Sequence, residues 1–131
     1  MGLTLKATIT TASDGSATVY LPGTSGNGYS TDTGRLLDDY TLESITYTKT
    51  DFADGVDFAV TEQPSGITLW TGTNVNASTT VYPRAFVADA ATGTVSTTVY
   101  DLIKIINGQI RVVVAAGGNA KTGTITVKLS G

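Results

Sequence analysis

The stretch Val112–Leu129, VVVAAGGNAKTGTITVKL, decides between two very different structures for this chain. Its glycines, followed by Lys121-Thr122, suggest a loop that wraps a phosphate. That motif requires G-x-x-x-x-G-K-[ST] at the start of a helix, so that backbone N–H groups converge on the phosphates. Here Ala115 and Ala120 stand where the two glycines are required. The phosphate-loop interpretation is therefore disfavoured.

Apolar and polar residues alternate on both sides of these glycines, which is typical of half-buried β-strands. The residues that share an apolar face are Ile110, Val112 and Val114 before the glycines, and Ile125, Val127 and Leu129 after them. Glycine and asparagine between the two segments favour the positive φ angles of a turn. We therefore predict a hairpin in which Val112–Val114 pairs with Ile125–Val127 across a turn at 117–121.

The same alternation recurs along the whole chain, with turn signals roughly every ten residues. The 25 threonines also favour strands, because branched side chains fit a pleated surface. Leu3–Ile9 and Ala17–Leu21 are predicted to be hairpin partners around Asp14-Gly15. The further predicted strands are Leu42–Lys49, Gly55–Thr61, Ile67–Thr71, Thr80–Ala88, Thr97–Ile106, Gln109–Ala115 and Thr124–Leu129. The prediction is one all-β domain over residues 1–131, an antiparallel β-sandwich or barrel of about nine to ten short strands.

The composition excludes several kinds of chemistry. The chain has no cysteine and no histidine, which removes disulfides, thiolate and imidazole ligands and histidine-based catalysis. Its net charge is −3 and its eight Lys and Arg are scattered, so nucleic acid is not an expected partner. No apolar run is long enough for a membrane span. We expect no enzymatic activity and no cofactor. We attribute the glycosylation sequon Asn76-Ala77-Ser78 to chance, because no secretory signal precedes it.

The acidic segment from Asp51 to Glu62 has the length of a calcium loop, whose ligands stand at fixed positions. Asp51, Asp57 and Glu62 fall at positions 1, 7 and 12, which carry ligands in such loops. Positions 3 and 5 hold Ala53 and Gly55, which lack a side-chain ligand. We therefore expect a turn with solvated carboxylates and no metal, and a non-standard calcium site is the alternative.

Four residues are candidates for an interface: Trp70, Tyr82, Arg84 and Tyr29. Trp, Tyr and Arg supply most of the binding energy in protein interfaces. Alternation places Trp70 on the outer face of its strand, where it is either half-covered by a loop or anchors an interface. Tyr82 and Arg84 flank Pro83, which cannot donate to a β-ladder and marks an edge, a bulge or a break.

Two polar segments, Pro22–Gly34 and Ala88–Ser96, are predicted to be loops that are too long for simple connections. Tyr29 lies in the first of them. Such segments are poor in apolar residues and cannot pack on their own. We expect them to gain order by docking on a neighbouring protein or to stay as surface loops.

Three segments together resemble a known family. They are Ile45–Thr61 (ITYTKTDFADGVDFAVT), Ser65–Val87 (SGITLWTGTNVNASTTVYPRAFV) and Ile110–Val127 (IRVVVAAGGNAKTGTITV). In these segments the chain resembles small virion structural proteins that are encoded among the head and tail genes of tailed bacteriophages. The region Leu3–Asp39 carries no equivalent motif.

The resemblance implies a β-rich virion protein without a catalytic motif. It implies a capsid decoration or cement protein, with the major capsid protein or neighbouring virion proteins as partners, which functions as a homo-oligomer in the virion. The alternative within this class is a head–tail connector or stopper. From a different class, a carbohydrate-binding β-sandwich would use an exposed aromatic residue such as Trp70 or Tyr82.

Overall fold

The computed structural model describes residues 2–21, 40–63, 65–88, 91–105 and 108–131. Within these ranges the chain forms eleven strands and no helix, so the predicted all-β class is confirmed. The predicted loop Pro22–Gly34, with Tyr29, lies outside the described residues. The strands are β1 (Gly2–Thr10), β2 (Ala17–Leu21), β3 (Tyr40–Lys49), β4 (Val56–Gln63), β5 (Thr68–Val75), β6 (Thr79–Val81), β7 (Ala85–Ala88), β8 (Val95–Asp101), β9 (Ile103–Ile105), β10 (Gln109–Ala115) and β11 (Thr122–Ser130).

Two curled antiparallel sheets face each other in a sandwich-like arrangement. Sheet I has the strand order β1-β11-β3-β6, and β9 also pairs with β3. Sheet II has the order β2-β10-β4-β5. Strands β7 and β8 pair only with each other among the described strands, as a separate two-stranded ribbon.

The core lies between the two sheets and contains the apolar residues that the alternation selected. Those of β1, β10 and β11 that are at most 2% exposed are Leu5, Ala7, Ile9, Ile110, Val112, Val114, Ile125, Val127 and Leu129. Each apolar side chain that turns inward stabilises the fold because its surface is removed from water. The threonines between them keep their hydroxyl groups near solvent. A shift of one residue in any strand would exchange the two faces, so the pattern fixes the register.

Both predicted hairpins are wrong. Strand β10 pairs with β2 and β4 in sheet II, whereas β11 pairs with β1 and β3 in sheet I. Strands β1 and β2 likewise belong to different sheets. The segments predicted to pair side by side therefore face each other across the core, and the turns between them carry the chain from one sheet to the other.

Four connections of this kind lie at the same end of the molecule. We call them β-arches: residues 11–16 join β1 to β2, residues 50–55 join β3 to β4, residues 76–78 join β5 to β6, and residues 116–121 join β10 to β11. The strand orders of the two sheets correspond, since each arch joins strands at equivalent positions. The arches therefore lie side by side in the order 11–16, 116–121, 50–55 and 76–78, which we call the arch stack.

The arch 116–121 is hydrogen-bonded on both sides. Toward the arch 11–16, Gly117 N–H donates to Gly15 O at 2.9 Å and Thr11 N–H donates to Lys121 O at 2.9 Å. Toward the arch 50–55, Ala53 N–H donates to Gly117 O at 3.0 Å. A tight corner leaves backbone donors and acceptors without strand partners, and here the neighbouring corners supply them.

The side chain of Thr11 completes this contact. It is 4% exposed, and its Oγ1 donates to Gly118 O at 2.5 Å and accepts from Lys121 N–H at 2.9 Å. A Cβ atom on Gly117 would lie 2.9 Å from Thr11 Cγ2, and Gly118 has a φ of +90°. The glycines in the opening sequence are thus required by close packing and by a left-handed corner.

The arch 76–78 is joined to its neighbour by polar side chains. Asn76 Oδ1 accepts from Gly55 N–H at 2.7 Å, and Ser78 Oγ accepts from Lys49 N–H at 2.9 Å. The tripeptide Asn76-Ala77-Ser78 therefore has a structural role, because both of its polar side chains pair backbone donors of the adjacent β3–β4 connection.

Strands β6 and β9 pair with the same edge of β3 and form one interrupted edge strand. Between them, residues 82–102 leave sheet I and include the β7–β8 ribbon. The predicted irregularity at Pro83 is confirmed as a break between two strands. The predicted loop Ala88–Ser96 is shorter than expected, because Ala88 pairs with Val95.

The substitution Thr11→Val tests the arch stack. It keeps the branched shape but leaves Gly118 O and Lys121 N–H without their hydroxyl partner, so we expect a loss of about 1–3 kcal/mol in the free energy of unfolding. Urea denaturation measures this loss. The control Thr10→Val removes an exposed hydroxyl from the neighbouring position and should change the free energy by about 0.5 kcal/mol or less. Equal effects of the two substitutions would contradict the role given to Thr11.

Candidate interaction surface

Tyr82 and Arg84, two of the candidate interface residues, lie on the surface where the chain leaves sheet I. Tyr82 is 67% exposed. Arg84 is also exposed, and its Nη1 donates to Pro83 O at 2.7 Å and to Glu43 O on β3 at 3.2 Å. These bonds tie the segment between β6 and β7 to the edge of the sheet, so the two side chains are presented from a fixed base.

Tyr82 borders a shallow groove of about 620 Å³ on the outer face of sheet I. The serine and threonine residues along the groove are Thr4, Ser44, Thr46, Thr80 and Ser130. Glu43 and Lys128 add one charge of each sign, and Glu43 Oε1 accepts from Ser130 Oγ at 2.6 Å. Such a surface can hydrogen-bond the polar groups of a protein or a sugar.

The β7–β8 ribbon and the residues that follow it expose apolar side chains. Val95 is 57% exposed, Tyr100 is 58% exposed and Leu102 is 36% exposed. A two-stranded ribbon is marginally stable by itself. Neither Tyr100 nor Leu102 was selected from the sequence, because Thr97–Ile106 was interpreted as one strand. The available signal was that apolar residues in this segment occupy both alternation phases, so one set could not face the core.

The alternation placed Trp70 on the outer face of β5, and this prediction is wrong. A β-bulge places two residues, Leu69 and Trp70, opposite one position of β4 and turns both toward the core. The Trp70 ring stacks on Phe58 with centroids 5.3 Å apart. A Cβ atom on Gly72 would lie 2.6 Å from this ring, so the glycine makes room for the indole. Trp70 is half-buried, and its main contacts are within the protein.

The same aromatic cluster contains a buried tyrosine. The Tyr47 ring lies 4.7 Å from Phe58 and 6.0 Å from Phe52, measured between centroids. Its hydroxyl is buried and has no hydrogen-bond partner within the described part of the chain. Burial raises the pKa of Tyr47, and the nearby carboxylates of Asp54 and Asp51 raise it further.

The carboxylates tested for calcium binding are bonded separately. Asp51 Oδ1 accepts from Thr122 N–H at 2.5 Å, Asp57 Oδ1 accepts from Asn74 N–H at 2.8 Å, and Glu62 accepts from the Ser65 hydroxyl. Each therefore fixes a local backbone or side-chain position. Over the described ranges, no three Asp, Glu, His or Cys side chains come together as a group that could hold a metal ion.

The sequence matches no protein-family model, and no curated protein matches it significantly. Over the residues that the structure describes, no helix combines the length and apolar character needed to cross a membrane.

The substitution Tyr47→Phe tests the buried hydroxyl. The ring contacts are kept and a polar group without a partner is removed, so the free energy of unfolding at pH 7 should stay equal or rise by about 1 kcal/mol. The pKa of Tyr47 is higher in the folded state than in the unfolded state. The folding stability that comes from keeping this hydroxyl neutral is therefore fully present below pH 10 and is lost as pH rises through the raised pKa.

Tyr47→Phe should therefore lose less stability than the wild type in urea denaturation at alkaline pH. Tyr20→Phe removes a hydroxyl from a residue that is 42% exposed, and we expect it to stay within about 0.5 kcal/mol of the wild type at pH 7. A Tyr47→Phe variant that is clearly less stable at pH 7 would show that the hydroxyl has a stabilising partner.

Proposed function

We propose that this chain is a structural protein of a tailed-bacteriophage virion, a capsid decoration or cement protein that binds the major capsid protein. It acts as a homo-oligomer in the virion and has no enzymatic activity. One observation carries the proposal: the β7–β8 ribbon and the residue after it expose Val95, Tyr100 and Leu102, and the pairing of Ala85 with Asp101 brings this part of the chain beside the exposed Arg84.

An exposed apolar set of this kind has the composition of an interface centre. Aromatic residues and arginine are enriched in the buried centres of protein interfaces, and charged residues other than arginine are depleted. The ribbon gains little stability from its own two strands. Docking on a larger partner would bury Tyr100 and Leu102 and hold both strands in place.

The rest of the molecule suits a cement protein because it forms a firm base for this surface. The four arches share hydrogen bonds at one end, and the ribbon leaves from the edge of sheet I. The net charge is only −3, so attachment should depend on apolar and hydrogen-bonded contacts more than on charge.

A head–tail connector would use the same surface, and the number of copies per particle separates the two roles. Hundreds of copies indicate decoration, and about a dozen indicate a connector. The carbohydrate-binding alternative needs exposed aromatic residues. Trp70 stacks on Phe58 inside the fold, which leaves Tyr82 beside the groove for that role.

The double variant Tyr100→Ala/Leu102→Ala tests the proposed attachment surface. Both residues are exposed, so the fold should be kept, while binding to particles that lack the chain should weaken about tenfold or more. The measurement is the amount of bound chain relative to the major capsid protein, over a range of added protein.

The control Ile67→Ala truncates an apolar side chain that is 53% exposed in the β4–β5 turn, and it should bind like the wild type. If the double variant also binds like the wild type, the ribbon is not the attachment surface. If the wild type binds no particle, the proposed function is wrong.

A further inference from the structure

Strand β1 forms the outer edge of sheet I and is nine residues long. Its pairing with β11 is continuous from Gly2 opposite Ser130 to Thr10 opposite Thr122, without a bulge. Among the described strands, β1 has no partner on its other side. Alternate N–H and C=O groups along that side are therefore a template onto which another strand can pair.

The other edges of the sandwich are shortened or distorted. Strand β5 has two bulges, β6 and β9 have three residues each, and β2 has five. Bulges, short strands and proline are the features that prevent edge-to-edge pairing. Strand β1 has no bulge and no proline, and its one charged residue is Lys6.

We propose that β1 pairs antiparallel with β1 of a second copy of this chain, so that sheet I continues through both copies. The contact is two-fold symmetric, and each copy presents the same strand to the other. Leu5, Ala7 and Ile9 face inward in both copies, so the alternation of the two strands agrees on both faces.

The sequence of β1 favours its own copy as the occupant. On the outer face β1 already pairs threonine with threonine, as at Thr8–Thr124 and Thr10–Thr122. A second β1 offers the same threonine-rich, weakly charged face. Among the registers that keep the inner faces aligned and do not place Lys6 opposite itself, those centred on Leu5 and on Ala7 pair the most residues of β1. Like charges placed directly opposite would disfavour the register centred on Lys6.

The test uses the variant Thr4→Lys/Thr8→Lys. In the register centred on Leu5, position 4 lies opposite Lys6 of the second copy, and in the register centred on Ala7, position 8 does. Both registers therefore acquire opposed lysines. The control Thr124→Lys/Thr126→Lys puts the same charges on the same face, one strand further in. Within the fold, Thr4 lies opposite Lys128 and Thr126 lies opposite Lys6, so the variant and the control each add one pair of opposed lysines between β1 and β11 and are matched in that respect.

Sedimentation equilibrium of the full chain should give twice the 13.5 kDa chain mass for the wild type and for the control. The dissociation constant of the variant dimer should be about tenfold higher than that of the wild type, or more. Its far-ultraviolet circular dichroism should match the control. A wild type that stays at the mass of one chain, or a folded variant that associates like the wild type, would overturn the proposal.

Hydrogen exchange supplies a readout that needs no substitution. The β1 amides that do not face β11 should be protected when the protein is associated and should exchange quickly on dilution. Protection that persists at the mass of one chain would mean that the chain's own residues cover the edge, and it would overturn the proposal.

The β1–β1 contact would be the interface of the homo-oligomer in the proposed function, and it can form without the virion. A protein that stays monomeric but binds particles overturns the edge pairing alone. A dimer that binds no particle overturns the proposed function alone.

Discussion

At one end of the molecule, four arches carry the chain from one sheet to the other. Each arch has backbone N–H and C=O groups that the strands of the sheets do not pair. The arch stack meets this requirement because each corner is hydrogen-bonded to the next. Gly117 has the central position, since its N–H donates to Gly15 and its C=O accepts from Ala53. The Thr11 hydroxyl also joins the arch 11–16 to the arch 116–121.

The arrangement of the strands follows from these corners. Because the arches lie side by side, equivalent strands of the two sheets stack in the same order, and β10 and β11 become inner strands of their sheets. Apart from one bulge where β11 pairs with β3, the irregular pairing among the described strands lies at the edges. The chain between β6 and β9, which includes the β7–β8 ribbon, interrupts one edge of sheet I, and the regular strand β1 forms the other edge. Both surfaces proposed for binding lie at these edges.

The sequence predicted which residues are buried much better than it predicted which strands are neighbours. Alternation reports the face on which a side chain lies, so Val112 and Val127 were assigned to the core correctly. A hairpin and an arch place the same residues inward, and they differ only in the partners of the backbone. The partners of Gly117 and Thr11 are far away in sequence, and period-two alternation carries no information about them.

The candidate surface was predicted in part for similar reasons. Tyr82 and Arg84 were selected by residue type and by their position beside Pro83, whose break in the strand is a local signal. Trp70 was placed on the wrong face because the bulge at Leu69 shifts the alternation by one residue, and the bulge depends on pairing with β4. Tyr100 and Leu102 were missed because Thr97–Ile106 was interpreted as one strand, although its apolar residues occupy both alternation phases.

The most direct test of this account is a measurement of nuclear Overhauser contacts between backbone Hα atoms of neighbouring strands. The arch stack predicts Hα contacts of β10 with β2 and β4, in the registers that place Val112 opposite Val19 and Val60. It also predicts Hα contacts of β11 with β1 and β3. Backbone Hα contacts between β10 and β11 themselves, across the glycines at 117–118, would show a hairpin and contradict the account.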